Sequence, residues 1–135
     1  MKAFVVKKEI LHKLIDKYDE AILIYNPDMV LNKNQALFAA KLALIAFQNG
    51  QNIAKKMPIE FLIRLSGEKQ ISKALSFGMD GLKEMAGVVI IGDNVSEDIT
   101  NIDFTPNVDI ISRKYGVSVE GIEKKILEKM SLVDI

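Results

Sequence analysis

Gly87-Val88-Val89-Ile90-Ile91-Gly92 decides how the rest of the chain is read. Four apolar, β-branched residues between two glycines, with no polar position to face water, predict a central strand covered on both faces. Such a strand needs neighbours at its edges and helices above and below. Two upstream runs qualify as neighbours: Ala3 to Val6, and Ala21 to Tyr25, which Asn26-Pro27 stops. A fourth strand is expected at Ile99 to Phe104 or Ser131 to Ile135.

The covering elements read as helices. From Lys8 to Tyr18, Ile10, Leu11, Leu14, Ile15 and Tyr18 recur at helical spacing with charges between them. The stretch from Asn34 to Asn49 is apolar almost all round and ends at Gly50, which predicts a helix in the middle of the core. Pro58 suits the first turn of a helix reaching Ser66, with Gly67 as its stop. Shorter helices are expected from Gln70 to Phe77 and after Thr105-Pro106. A last helix runs from Ser118 to Met130, with Val119, Ile122, Ile126 and Met130 on one stripe and Glu120, Lys124 and Glu128 on another face. No linker or repeat divides the chain. The expected fold is a single α/β (α+β) domain over residues 1–135, with a small, roughly four-stranded mixed sheet wrapped by several helices.

Composition narrows the chemistry. The 135 residues are 49% hydrophobic and 27% charged, a globular balance. The absence of cysteine excludes disulfides, thiolate metal sites and a Cys nucleophile, and one histidine cannot build a His-based zinc site. Ala3 to Val6 is too short for a signal-peptide core, and Ala36 to Phe47, broken by Lys41, is too short for a membrane span. A cytoplasmic protein without membrane contact is expected, with the Asn94-Val95-Ser96 sequon unused.

Catalytic signatures are missing. There is no G-x-G-x-x-G or P-loop, and Ser66-Gly67 lacks the G-x-S-x-G pattern of a nucleophile elbow. Asp93, Glu97 and Asp98 lack calcium-loop spacing and read as a solvated acidic loop rather than a cation site. His12 and Asp16 read as a surface pair. No catalytic residue, metal or cofactor is expected.

Charge segregation is the informative feature. Lys plus Arg and Asp plus Glu each number 18, so any phosphate site must be local. Between Gln51 and Leu75, Lys55, Lys56, Arg64, Lys69 and Lys73 face only Glu60 and Glu68, a net of +3. From Asp80 to Asp109, seven acids face Lys83 alone, a net of −6. Arg64, Lys69 and Lys73 are expected to bracket the Gly67 turn, with backbone N–H groups of the next helix adding anion affinity. The alternative is ordinary solvated faces.

The run NIAKKMPIEFLIRLSGEKQISKALSFG, from Asn52 to Gly78, is more specific than any short motif. With Gln35-Ala36 through Phe47 and the Val88-to-Gly92 strand, it closely resembles the small kinase-binding subunit of the KEOPS complex, the Cgi family. Leu65-Ser66-Gly67, Gln70-Ile71-Ser72-x-Ala74-Leu75 and Phe77-Gly78 are its most specific pieces. The resemblance implies a non-catalytic partner that binds the small lobe of an atypical kinase/ATPase and reaches the remaining subunits through it. That complex installs threonylcarbamoyl on adenosine 37 of tRNAs reading ANN codons. Archaeal members of the family bind tRNA, chiefly at its single-stranded 3′ CCA end. Carried over by position, that role falls on Lys55, Lys56, Arg64, Ser66, Lys69, Gln70, Ile71 and Lys73, with Arg64 as the planar partner for a base. Leu127 lies beside Ile126, off the stripe, so Ile126, Leu127 and Met130 are the candidate kinase contacts. Two other classes remain open: an enzyme of small phosphorylated metabolites that uses the Gly67 turn, with Glu60 or Glu68 as base, and a scaffold without RNA contact.

Overall fold

The computed structural model describes residues 1–92, 95 and 99–134. In chain order, β1 (Lys2–Lys7), α1 (Leu11–Tyr18) and β2 (Ile22–Tyr25) are followed by α2 (Lys33–Gln48), α3 (Met57–Ser66) and α4 (Ile71–Ala74). Then come β3 (Met85–Ile90), α5 (Val108–Tyr115) and α6 (Ile122–Ser131). β3 is the middle strand, antiparallel to both β1 and β2, with Lys2 opposite Ile90 on one side and Tyr25 opposite Gly87 on the other.

Alternation along the strands sorts the sheet into two faces. Val6, Ile22, Ala86, Val88 and Ile90 share one cluster with Leu11 and Leu14 of α1. Ala3, Leu23, Tyr25 and Val89 share the other with α2, α3, Ile111 of α5 and Ile126 of α6. A strand flanked by two cores has no position left for a polar residue, which is why β3 reads as an unbroken apolar run.

Gly87 is required for a different reason. A Cβ there would lie 2.2 Å from ring carbons of Tyr25, whose side chain lies across the glycine. Tyr25 is 1% exposed and meets Phe61 edge-on, so the ring has nowhere to retreat. Burial also raises the pKa of its phenol, which stays neutral. Gly87→Ala is expected to cost about 1–3 kcal/mol by overpacking, read as a lower urea midpoint at unchanged slope. An unchanged midpoint would mean the ring moves aside freely.

The four-stranded mixed sheet is not found: among the described residues the sheet has three antiparallel strands. The expected strand from Ile99 to Phe104 instead caps the edge of β1. Ile102 N donates to Val5 O at 2.8 Å, and Val5 N donates to the side chain of Asn101 at 2.9 Å. Asn101 thus supplies an acceptor where a ladder would use backbone, and the edge is closed without a strand. Residues Ser131 to Asp134 finish α6 and form a 3-10 turn; Ile135 lies outside the described residues.

The central helix is α3 rather than α2. All of Glu60 to Ser66 is buried. α2 turns a row of alanines inward (Ala36, Ala39, Ala40, Ala43, Ala46), and its outer face stays open, with Ile45 51% exposed. Small side chains let helix axes approach closely, so one inward row suffices to seat α2.

Candidate functional site

The basic segment folds around α3. Pro58 sits in its first turn, and Gly67 ends it in the left-handed conformation at φ +69°. Gly67 is also a close-approach point: a Cβ would lie 2.8 Å from Cγ of Lys129 and 3.2 Å from its carbonyl oxygen. The turn is therefore packed against α6, and the open hollow beside it is lined by Lys69, Lys125 and Lys129 together with Glu68 and Glu128. The helix beyond it, α4, is four residues long, too short to act as the expected anion-binding N-terminus.

Arg64 lies inside the protein at 1% exposure, contrary to its expected place as a surface cation stacking on a base. Its Nε donates to Oε2 of Glu60 and its Nη1 to Oδ1 of Asp134, both at 2.7 Å. The second oxygen of Glu60 accepts from the backbone N–H groups of Ile53 and Ala54, each at 2.7 Å. Burial works against the guanidinium charge, but hydrogen bonds to Asp134 and Glu60 outweigh it and raise its pKa above the ordinary value. The network pins the 51–54 segment and the turn after α6 onto α3.

Ser66 is buried too. Its hydroxyl donates to Ile63 O at 3.3 Å and accepts from Glu68 N at 3.1 Å, closing the end of α3. It has no route to a ligand. Glu60 is committed to Arg64 and two backbone groups, and Glu68 pairs with Lys129 Nζ at 3.1 Å. Neither is a free base beside the Gly67 turn.

The other predicted contacts are on the surface. Lys55 and Lys56 are exposed just before α3; Lys69, Gln70, Ile71 and Lys73 are exposed beyond its end. A ten-residue helix spans about 15 Å, so the lysines form two pairs at its two ends. The 51–54 segment links them, since Gln51 and Ile53 border the same hollow as Lys69. Ile71 at 46% and Ile53 at 42% exposure put apolar surface beside the cations.

The model of the family described as kinase binding protein CGI-121 matches residues 5–134. The chain belongs to the CGI-121 family. No curated protein matches it. Ile126 and Met130, both expected at a partner surface, are 1% exposed and belong to the core. Leu127, off their stripe, reaches the surface. It lines an open groove of about 980 Å³ with Val119, Ile122 and Leu132 between Glu123, Lys124 and Glu128. Val119 is 47% and Leu132 57% exposed. The sequence reading places Val119 on the stripe of a helix starting at Ser118, but α6 begins at Ile122 and Val119 is exposed before it; sequence reasoning missed Leu132, exposed after α6.

Among the described residues no acidic or histidine cluster fits a metal ion, and no helix is long and apolar enough to cross a membrane. Asp93, Glu97 and Asp98 lie outside the described residues, as do Asn94 and Ser96 of the sequon. His12 and Asp16 are both exposed on α1.

Proposed function

We propose that this chain is a non-catalytic subunit of a KEOPS-type tRNA-modifying complex. It docks on the small lobe of the kinase/ATPase subunit and joins the other subunits through it. It recruits tRNA by the single-stranded 3′ CCA end, so that threonylcarbamoyl can be installed on adenosine 37. The kinase contact is assigned to the outer face of α6 and the turns flanking it, at Val119, Ile122, Leu127 and Leu132. The tRNA contact is assigned to Lys55, Lys56, Lys69, Gln70, Ile71 and Lys73, with Arg64 and Ser66 as the framework beneath them.

One observation carries the tRNA assignment. Neither acid of the basic segment stands unpaired on that face: Glu60 is buried against Arg64, and Glu68 is bridged to Lys129. The outward field of this face is set by Lys55, Lys56, Lys69 and Lys73, with Asp134 the acid that lines the Lys69 hollow. A single strand offers phosphates to such lysines and unstacked bases to a neighbouring apolar side chain such as Ile71.

Lys69→Glu and Lys73→Glu are each expected to weaken tRNA binding by about tenfold or more at low salt, since reversal adds repulsion to the loss of a cation. Lys55→Glu and Lys56→Glu act in the same direction more mildly, and Lys13→Glu, on α1, changes nothing. The salt dependence of binding should flatten by about 0.7 in logarithmic slope for each cation lost. Filter binding across a salt series reads both effects. Equal binding by all these variants would leave the scaffold reading in place.

A further inference from the structure

One buried cation stands directly behind a hollow in the basic face. Asp134 lines an open hollow of about 350 Å³ with Gln51, Ile53, Lys69 and Val133. From that wall its Oδ1 accepts the 2.7 Å hydrogen bond of Arg64 Nη1. The two partners differ in setting: the side chain of Arg64 is 2% exposed and that of Asp134 is 55% exposed. Glu60 holds the guanidinium from the other side, through Nε, and is itself fully buried. Asp134 is therefore a second carboxylate on a cation that is already neutralised, and the three groups together carry one net negative charge.

That arrangement is exchangeable. A phosphate presents its oxygens to a guanidinium as a carboxylate does, and binds it at least as well. The contacts of Glu60 with Arg64, Ile53 and Ala54 do not pass through Asp134. We propose that Asp134 occupies a phosphate site, and that an incoming phosphate displaces it from Arg64 Nη1 while Lys69 flanks the same hollow. The inference rests on the tRNA reading for its ligand, a phosphodiester near the RNA 3′ end; a free phosphate has the same chemistry. Asp134 then acts as a brake on binding: its carboxylate repels the strand and must leave before Arg64 engages.

Asp134→Asn keeps an acceptor for Nη1 and removes the charge. In the full chain it is expected to tighten binding of a short single-stranded RNA ending in CCA about fivefold at low salt, the value of one close charge pair in water. Asp16→Asn, on α1, should leave that affinity unchanged. In a second arm, without RNA, inorganic phosphate is titrated while the Arg64 Nε–H resonance is followed by NMR. The resonance should shift in the wild type, and at lower phosphate concentration in Asp134→Asn. If RNA does not bind the wild type but the phosphate arm succeeds, the site stands and the tRNA reading fails. Weaker or unchanged RNA binding by Asp134→Asn makes Asp134 a structural clamp and overturns the proposal. An Arg64 resonance that ignores phosphate in the wild type overturns it too, whether or not the variant folds.

Discussion

Arg64→Leu is expected to cost about 3–5 kcal/mol, because it strands the buried carboxylate of Glu60 without its cation. Glu60 cannot turn outward, since its other oxygen holds the N–H groups of Ile53 and Ala54. For a chain of this length the loss is a fall in Tm of roughly 10–15 °C, a large share of the 5–15 kcal/mol that holds typical domains together. Arg64→Glu should be worse, with three carboxylates in one place. The check is a thermal melt of each variant beside wild type. A wild-type Tm for Arg64→Leu would show that the network does not hold the 51–54 segment to α3. The result also governs how RNA data are read: lost binding in an Arg64 variant mixes lost structure with loss of the proposed phosphate contact, whereas lost binding in Lys69→Glu reports the surface.

Leu127→Arg and Val119→Arg are expected to abolish co-purification with the kinase subunit, weakening the complex by 100-fold or more, as loss of a central apolar anchor does. Both side chains reach the surface, so the fold should survive, with circular dichroism and Tm close to wild type. Ile126→Arg gives the opposite pattern. It places a charge at a site 1% exposed in the main core, where α6 packs on α3, and should unfold the chain before any interface is tested. Folded Leu127→Arg and Val119→Arg proteins that still bind tightly would place the kinase elsewhere.

The central strand was legible because burial on both faces removes every polar residue from it, and Val88 to Ile91 is apolar at every position. Helix ends with a local cause were legible as well. Gly67 ends α3 and Gly50 follows α2, both in the left-handed conformation. What escaped depended on contacts far apart in sequence. Ile99 to Phe104 has a strand's composition, yet a side-chain acceptor from Asn101 replaces the ladder. Ile126 and Leu127 are adjacent and equally apolar, and only the position of α6 on the core makes one buried and the other a groove wall.

Arg64 is the instructive case. Its charge placed it on the surface in a reading by local count, and it is the largest fully buried side chain among the described residues. The signal was present in the neighbours: α3 is apolar at Phe61, Leu62, Ile63 and Leu65, leaving no polar face to carry an arginine outward. A Glu four residues earlier, in such a helix, marks a pair folded inward together. Asp134, seventy residues away in sequence, had no such marker.

Binding of intact tRNA against the same tRNA stripped of its terminal CCA tests most directly what this chain is for. The wild-type chain should lose most of its affinity with the CCA, while Lys69→Glu, already weakened, loses almost nothing further. Equal binding of intact and stripped tRNA by the wild type would contradict recruitment through the 3′ end, and with it the assignment of Lys69, Gln70, Ile71 and Lys73.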